Sequence, residues 1–404
     1  MPKLNKSQRH FCYKMTINMR VALAHLSLNF LGGEEKLCLS FIDALKKSGH
    51  RVTLFTLEKT DWEEIMKFFG DVGTPDEEIF VTSSPIHSMF SKAFIPFYSY
   101  VNYLRGLVKL VSRREHDIVI NTYGDVFTSI ADLSYVHFPI GATFDYRQIP
   151  AFSSQFKWAT YSKVYKLLGF AIEKVRPSVL LTNSKFTYQV IKKYLKRDAV
   201  ILHPPVSVKD YLNREDRRKN YVVTVSKFTP KRHLHRIPLV ASKTKNAKFI
   251  VTGVADEYSV ETLRMLRKTI KACKVKDRVL LRPNIPRQKL INLLSKAKVY
   301  LHTMPFEHFG ISIIEAMAAG CVPVVHRSGG PWLDILMEQQ GEIGFSYETI
   351  EEAAQIIDLI ICKEDLREKV SRNARKRAMN YDTVVFERRL NAIIKSYTEM
   401  LKQK

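Results

Sequence analysis

The sequence predicts an α/β protein with two Rossmann-like domains, each built around a parallel β-sheet. The chain has 404 residues, about twice the usual size of one domain. Short apolar runs alternate with helical segments along most of this length, a pattern typical of parallel sheets covered on both faces. The alternation breaks near residue 208 and then starts again, which indicates two domains rather than one.

The first domain is predicted over residues 19–207, and residues 1–18 are expected to form a flexible extension. An apolar run at 20–28 is followed by Gly32 and Gly33, and a helical pattern over 35–48 leads to the next strand. The strands expected in this domain are the apolar runs at 20–28, 51–57, 117–123, 133–138, 179–183 and 199–202.

Pro204, Pro205 and the polar stretch 213–220 separate the two domains, and the second is predicted over 208–380. Its expected strands are the runs at 221–225, 248–253, 278–282, 299–302 and 322–326. Helical segments at 363–379 and 383–402 close the chain. Residues 381–404 are expected to form a C-terminal helix that packs back toward the first domain.

The chain is strongly basic, and its net charge needs an explanation. Lys and Arg number 64 against 40 Asp and Glu, which gives a net charge of +24. Nucleic acid, an anionic membrane surface and a phosphate-rich substrate all fit this charge. The basic residues are spread along the chain and form no low-complexity tail, which weakens the nucleic-acid interpretation.

The cysteines and the apolar runs predict a cytoplasmic protein. The chain has five cysteines, far apart and without a Cys-x-x-Cys pair, so a reducing compartment is expected. No run approaches the roughly 18 to 20 apolar residues that a membrane-spanning helix needs. The N-terminus is basic but lacks the apolar stretch of a signal peptide.

The region after the predicted strand at 299–302 carries the densest pattern of functional residue types. Glu307 and Glu315 are separated by seven residues, and Gly310 lies between a loop and a predicted helix start. Amide groups in the first turn of a helix lack partners in the helix and are able to face an anion. Those expected to do so are the amides of Ile311, Ser312 and Ile313. The alternative is that Glu315 only caps or solvates an amphipathic helix.

The stretch 304–320 resembles the Glu-x7-Glu signature of retaining, family 4 type glycosyltransferases with the GT-B fold. This large family includes sucrose synthases and lipid-linked-oligosaccharide mannosyltransferases. The resemblance covers nearly the whole chain. It implies two parallel-sheet domains facing across a cleft, with the acceptor bound by the N-terminal domain and a nucleotide sugar bound by the C-terminal domain.

The resemblance also implies roles for individual residues. Glu307 and His137, which lies near the end of the predicted strand 133–138, match catalytic positions beside the donor sugar. The residues implied to bind the donor are Gly32, Gly33, Lys227, Arg232, Asn284, Ile285, His308, Phe309, Gly310, Ile311, Ser312 and Glu315. Those implied to bind the acceptor or to support the cleft are Asn183, Ser184, Gly329, Gly330 and Asp334. Several of these roles have a structural alternative. Gly32 and Gly33 would form a plain turn, His137 would be a core histidine, and Lys227 and Arg232 would belong to a solvated basic face.

Several runs resemble more narrowly the dolichol-linked oligosaccharide α-1,2-mannosyltransferases of protein glycosylation. They are 183–187, 283–286, 302–304, 307–310 and Ser-Gly-Gly-Pro-Trp-Leu-Asp at 328–334. The resemblance implies mannose transfer from GDP-mannose to a lipid-linked oligosaccharide or glycolipid at the cytosolic face of a membrane. A glucosyltransferase that uses UDP-glucose remains an alternative.

The chain contains no Asp-x-Asp pair of the kind that holds a metal ion in some glycosyltransferases. Lys227, Arg232 and the helix start at Gly310 are therefore expected to neutralise the leaving diphosphate, and no metal or other cofactor is expected. The family implies that the acceptor hydroxyl attacks from the leaving-group face and gives its proton to the departing phosphate. Glu307 is expected to hold the sugar and Glu315 the ribose.

Two segments of the first domain, 90–110 and 156–170, interleave aromatic residues with cations. Both are candidates for contact with an anionic membrane, and both are equally consistent with core-facing helices. A dinucleotide oxidoreductase and a P-loop enzyme are excluded because their glycine motifs do not occur. A basic nucleic-acid-binding protein is the non-enzymatic alternative, and no nucleic-acid partner is expected.

Overall fold

A computed structural model describes residues 18–82, 95–125, 130–139, 142–143, 145, 179–212 and 218–403. The chain divides into two compact units. The first comprises Met1–Val136, Leu168–Leu181 and Glu387–Lys404, and the second comprises His137–Leu167 and Thr182–Phe386. The predicted domain limits differ from these divisions in detail and stay predictions.

The first sheet has seven strands in the order β3-β2-β1-β4-β5-β6-β7. Their bounds are β1 Arg20–Ala24, β2 Arg51–Glu58, β3 Glu77–Thr82, β4 Ile118–Asn121, β5 Leu133–Val136, β6 Val179–Thr182 and β7 Val200–Ile201. The pairs β1–β2, β1–β4, β2–β3 and β4–β5 are parallel. The helices of this part of the chain are α1 Gly33–Lys47, α2 Trp62–Phe69, α3 Ile95–Ser112 and α4 Lys185–Tyr194.

The second sheet has six strands in the order β10-β9-β8-β11-β12-β13. Their bounds are β8 Lys219–Val225, β9 Lys248–Gly253, β10 Val279–Pro283, β11 Ala297–Leu301, β12 Val322–His326 and β13 Phe345–Tyr347. All five neighbouring pairs are parallel. The helices that follow in sequence are α5 Arg236–Lys243, α6 Val260–Ala272, α7 Arg287–Lys296, α8 Ile311–Ala318, α9 Ile350–Cys362, α10 Glu364–Ala378 and α11 Thr383–Lys402.

The order of the second sheet determines where a ligand is expected to bind. Strands β8 and β11 are neighbours, and the chain proceeds outward from them in opposite directions. In open α/β sheets this reversal opens a crevice beyond the carboxyl ends of the two strands. The loops that follow β8 and β11 carry Lys227, Arg232 and Glu307, so the topology brings these residues to one end of one sheet.

The core of the second unit explains why its strands lack polar alternation. Both faces of the sheet are covered by apolar side chains, with Val299 and Val324 on one face and Tyr300 and Val325 on the other. Strands buried on both faces read as continuous apolar runs, as the sequence shows. Helix α8 is buried over most of its length, which fixes its N-terminus relative to the sheet.

The α/β prediction with two parallel sheets is confirmed, and the predicted strands coincide with β1, β2 and β4–β12 to within a few residues. Strands β3 and β13 were not predicted. Strand β3 carries the acidic residues Glu77 and Glu78 and partly exposed side chains, so it lacks a strong apolar run. Strand β13 has only three residues, too few to show a period.

The C-terminal helix α11 contacts other residues of the first unit. Glu387 forms an ion pair with Lys47, and the Ser48 hydroxyl donates to Asn391 Oδ1 at 3.0 Å. The Tyr397 hydroxyl donates to Asp132 Oδ1 at 2.9 Å. These contacts attach the last helix to α1 and to the segment before β5.

The candidate membrane segments are only partly described. Residues 1–17, 83–94 and 146–178 lie outside the described residues, and with them the segment 156–170. In the described half of α3, Tyr103, Leu107 and Leu110 are buried while Arg105 and Lys109 are exposed, the arrangement of a core-facing helix. Among the residues that the structure describes, no helix is long and apolar enough to cross a membrane.

Candidate active site

Glu307 lies in the loop between β11 and α8 and is the centre of an ionic cluster. Its carboxylate forms an ion pair with the Arg232 guanidinium, and its Oε2 lies 3.3 Å from His302 Nε2. Its other oxygen accepts the amide of His308 at 3.1 Å. Burial raises the pKa of Glu307, but Arg232, His302 and His308 outweigh burial and hold that pKa well below its usual value. Glu307 is therefore an ionised, nearly buried carboxylate at neutral pH.

Arg232 ends a short 3₁₀ helix, Pro230–Arg232, in the loop after β8. Its backbone carbonyl accepts the Thr303 hydroxyl at 2.8 Å, and its guanidinium lies 3.1 Å from the sulfur of Met304. The loop after β8 is thus bonded to the loop after β11. The Arg232 side chain is 29% exposed, and a guanidinium has five N–H donors, more than its bond with Glu307 uses.

The N-terminus of α8 follows Gly310, whose φ of +100° favours glycine. Beneath it, the buried Tyr300 hydroxyl lies 2.7 Å from Ser312 Oγ and 3.1 Å from the Val225 carbonyl oxygen. The expectation of three free amides is wrong for Ile313, whose amide donates to the Gly310 carbonyl at 3.0 Å because the first turn is tight. The amides of Ile311 and Ser312 belong to the turn in which helix geometry supplies no acceptor.

The other predicted donor residues of this unit make bonds of their own. Lys227 Nζ lies 2.9 Å from Asp256 Oδ2. Burial raises the pKa of Asp256, but hydrogen bonds from Lys227 and Ser259 outweigh it and lower that pKa. The Asn284 side chain bonds both to the amide and to the carbonyl of Ala255, at 2.9 and 2.8 Å. Asn284 thereby ties the loop after β10 to the loop after β9 and leaves the half-buried Ile285 beside it.

The segment around His137 packs against the Glu307 loop within the second unit. The Phe138 ring stacks on the His308 ring with centroids 4.2 Å apart and planes 3° apart. Burial lowers the pKa of His308 to about 3, with a smaller opposing effect of Glu307. The Asn183 side chain donates to the His137 carbonyl at 2.8 Å. His137 is itself buried. The hydrogen bond from Asn183 to its carbonyl and the stacking of its neighbour Phe138 on His308 fix its backbone position.

The run 328–334 supports the Glu307 loop and the start of α4. The Gly330 amide donates to the Glu307 carbonyl at 2.8 Å, and the Ser328 hydroxyl accepts the Phe306 amide at 2.8 Å. A Cβ atom at Gly329 or Gly330 would collide with the backbone of residues 306–309. Both glycines are therefore required for close approach of the two loops.

Asp334 acts as an acceptor for backbone groups. Its carboxylate accepts the Lys185 amide at 2.7 Å, lies 3.4 Å from the Phe186 amide, and lies 3.1 Å from His203 Nε2. The Ser184 hydroxyl accepts the Thr187 amide at 3.0 Å and caps the same helix start. This geometry favours the structural alternative for Asp334 and Ser184.

Gly32 and Gly33 belong to the first unit, at the beginning of α1. The Gly32 amide donates to Glu35 Oε2 at 2.7 Å. Within the described part of the chain, no group of three or more His, Cys, Asp or Glu side chains has the arrangement of a metal site.

Sequence reasoning named His302 only as part of a motif and missed its contact with Glu307. Ser328 was likewise named only within the motif 328–334, and Tyr300 was not predicted. His302 directly follows β11 and so lies where functional residues are expected, which was a usable signal. Tyr300 reads as an ordinary core residue of a buried strand, and only the packing reveals its hydroxyl beneath Ser312.

Comparison with known proteins identifies the second half of the chain. Residues 208–377 match the family model described as glycosyl transferases group 1. A GDP-Man:Man(3)GlcNAc(2)-PP-Dol alpha-1,2-mannosyltransferase of Dictyostelium discoideum is 28% identical over 268 residues, which are 62% of this chain and 52% of that protein. The Homo sapiens protein of the same name is 30% identical over 250 residues, 56% of this chain and 49% of that protein. The matched region thus spans about half the length of these relatives.

Solved structures resemble the chain over most of its length. Anabaena Alr3699/HepE in complex with UDP and glucose has a TM-score of 0.69 at 17% identity, covering 94% of this chain and 100% of that one. WaaG, a glycosyltransferase involved in lipopolysaccharide biosynthesis, has a TM-score of 0.69 at 14% identity, covering 93% and 99%. At such identities the likeness shows the fold, which is GT-B. The chain therefore has the GT-B fold, and its residues 208–377 match the model of glycosyl transferases group 1.

Proposed function

We propose that the chain transfers mannose from GDP-mannose to a lipid-linked oligosaccharide, with retention of the anomeric configuration. The observation that carries the proposal is the Arg232–Glu307–His302 cluster in front of the α8 N-terminus, at the switch point of the second sheet. The named activity of the mannosyltransferase relatives supports the choice of donor and acceptor.

The site offers positive charge where a diphosphate would leave. Arg232, the amides of Ile311 and Ser312, and Lys227 supply donors from two loops and one helix start. Preorganised donors stabilise charge that develops in the transition state, and this is commonly the largest contribution of a transferase site. Glu307, held ionised, is assigned to the sugar hydroxyls and to the developing positive charge at the anomeric carbon.

In the proposed reaction, the acceptor hydroxyl oxygen bonds to the anomeric carbon as the bond from that carbon to the diphosphate oxygen breaks. The hydroxyl proton passes to the departing phosphate. Glu315 is assigned to the ribose and His137 to the donor sugar. The structural surroundings of Asn183, Gly329, Gly330 and Asp334 favour supporting roles for these four residues.

Donor choice is tested by calorimetric titration of the purified chain with GDP and with UDP, followed by transfer assays with both nucleotide sugars. We expect GDP to bind more tightly and GDP-mannose to label a dolichol-linked oligosaccharide acceptor. Labelling from UDP-glucose alone would support the glucosyltransferase alternative. Binding of DNA or RNA without binding of either nucleoside diphosphate would contradict the proposed enzyme.

We also propose that transfer needs no metal ion, because Arg232, Lys227 and the α8 N-terminus supply positive charge to the leaving diphosphate. The reaction is expected to proceed in EDTA, while Arg232→Ala loses most activity. Abolition by EDTA with rescue by Mg²⁺ or Mn²⁺ would refute this proposal.

Localisation at the cytosolic face of a membrane, by peripheral contact with an anionic surface, is a further part of the proposal. It is supported by the net charge of +24 and by the acceptor that the relatives' name specifies. Co-sedimentation with acidic vesicles and release by high salt are expected, since exposed charges are screened over about 8 to 10 Å. Equal binding to neutral and acidic vesicles would contradict an electrostatic contact.

A further inference from the structure

A chain of charged side chains leads from Glu315 to the segment before β8. Arg287, the first residue of α7, has its Nη1 4.0 Å from Glu315 Oε1 and its Nη2 2.9 Å from Asp210 Oδ2. Asp210 lies in a short 3₁₀ helix, Val208–Tyr211, and its Oδ1 accepts the Ser207 hydroxyl at 2.9 Å. Neither Arg287 nor Asp210 belongs to the Arg232–Glu307–His302 cluster.

The surroundings of Arg287 hold its guanidinium in one place. The Tyr211 ring lies beneath it, with its centroid 5.9 Å from Cζ. Burial lowers the pKa of Arg287, but Tyr211, Glu315 and Asp210 outweigh burial and raise it, so the group stays charged. Asp210 and Tyr211 therefore fix a permanent cation beside Glu315, whose side chain is only 10% exposed.

The distance between Arg287 and Glu315 shows that the two side chains attract each other without forming a hydrogen-bonded ion pair. A distance of 4.0 Å is too long for a hydrogen bond, so Arg287 attracts the Glu315 carboxylate without engaging it in a bidentate bond. A carboxylate has about four acceptor sites, so Glu315 accepts a ligand hydroxyl in addition to its contacts within the protein, while the charge of Arg287 holds it in position. An ordinary exposed ion pair, in contrast, would contribute little to either stability or binding.

We propose that Arg287, anchored by Asp210, is a positioning residue that directs the Glu315 carboxylate at the ribose hydroxyls and sets the preference for a ribonucleotide donor. The inference rests on the proposed function, because it requires a nucleoside diphosphate in this site. Ligand hydroxyls donate to Glu315, and the charge of Arg287 holds that carboxylate directed toward them.

The test compares the dissociation constants of GDP, 2′-deoxy-GDP and 3′-deoxy-GDP by calorimetry. A hydrogen bond to a charged group makes a difference of about tenfold or more in affinity. The wild-type chain is expected to prefer GDP over at least one deoxy analogue by that factor. In Arg287→Ala the preference should fall to about threefold or less, with the donor KM raised and kcat at saturating donor changed by less than about fivefold.

Conservative variants separate positioning from general damage. Arg287→Lys keeps the positive charge but not the planar guanidinium, so it should retain part of the ribose preference that Arg287→Ala loses. Asp210→Asn should lower the preference less than Arg287→Ala does. Lys289→Ala removes an exposed cation from the same helix and should change neither the preference nor KM. Thermal unfolding of each variant identifies any that fails to fold.

The coupling between Arg287 and Glu315 is measured with a double variant. If Arg287 acts through Glu315, its replacement should have little further effect on ribose preference in a Glu315→Gln background. Additive losses, or equal losses for GDP and both deoxy analogues, would show that Arg287 contacts another part of the nucleotide and would overturn the inference. An unchanged preference in folded Arg287→Ala would overturn it as well.

Failure of the proposed function and failure of the inference about Arg287 give different results. A wild-type chain that binds neither GDP nor UDP would remove the nucleotide site and with it the inference. A wild-type chain that binds GDP and transfers mannose, but whose Arg287→Ala variant keeps the full ribose preference, would leave the function intact and refute only the role of Arg287.

Discussion

Replacing Glu307 by glutamine separates charge from shape at the centre of the candidate site. Glutamine keeps the size of the side chain and one acceptor oxygen, but it removes the negative charge that binds Arg232 and lies 3.3 Å from His302. Because Glu307 is assigned to the sugar, Glu307→Gln should act on the transition state more than on nucleotide binding.

The expected magnitudes follow from these contacts. Loss of one preorganised charge interaction costs on the order of 3 kcal/mol, or about a hundredfold in kcat. The dissociation constant of GDP should stay unchanged or fall by up to about tenfold, because Arg232 no longer shares its charge with a carboxylate. The free energy of unfolding should fall by about 1 to 2 kcal/mol, since charge-assisted hydrogen bonds are replaced by neutral ones.

The assay measures kcat with GDP-mannose and a lipid-linked oligosaccharide, GDP binding by calorimetry, and unfolding in urea. Glu351→Gln is the matched control, because Glu351 forms an exposed ion pair with Lys243 at 3.0 Å and lies on helix α9. It should leave kcat unchanged. Glu315→Gln should show the opposite pattern from Glu307→Gln, with GDP affinity reduced more than kcat.

Normal turnover by Glu307→Gln together with a collapse of GDP binding would refute the assignment of the two glutamates. It would indicate that Glu307 holds the nucleotide and that another group stabilises the sugar. A loss of kcat that accompanies an equal loss in Glu351→Gln would attribute the effect to general charge changes instead.

Three further outcomes are expected. Asp334→Asn should lower the free energy of unfolding in urea by about 2 kcal/mol, since Asp334 accepts two backbone amides, while the folded variant keeps its kcat. Asp198→Asn, at an exposed position, is the control. An equal loss of stability in the control would contradict the prediction. Gly330→Ala should reduce kcat at least tenfold, because its Cβ would displace the His308 carbonyl, and normal kinetics would show that the loops tolerate separation. Burial lowers the pKa of His308 to about 3, below the unfolded value near 6.5, so its contribution to stability is complete above pH 6.5 and is lost as pH falls toward 3. The free energy of unfolding in urea, plotted against pH, should therefore rise less steeply for His308→Phe than for the wild type across that window, by at most about 1.4 kcal/mol per pH unit. An unchanged dependence on pH would contradict this prediction.

The fold was predictable because its signal is local. A strand buried on both faces must be apolar, and a parallel strand must be followed by a crossover, so apolar runs and helical segments alternate in any such chain. β9 and β11 were therefore visible without any contact information. Strand β3 carries glutamates in an edge position, where burial no longer dictates apolar side chains, and it was missed for that reason.

The site was predictable only in part, since its signal mixes local and long-range features. Glu307 and Glu315 stand in a recognisable spacing, and the resemblance to a known family supplied Arg232. The contact between Arg287 and Asp210 joins residues that are 77 positions apart, and neither residue belongs to a recognisable pattern. The engagement of the Ile313 amide also escaped prediction, because it depends on how tightly the first helical turn closes.

The Glu307 loop has no regular secondary structure, so its geometry must come from bonds to other segments. The β8 loop supplies Arg232, the residue directly after β11 is His302, and the β12 loop supplies Ser328 and Gly330. Each of these segments is anchored in turn by a strand of the same sheet. The position of the carboxylate is therefore set by contacts with segments that follow three neighbouring strands. This accounts for two glycines at 329–330, where any side chain would separate the loops and move Glu307 away from Arg232.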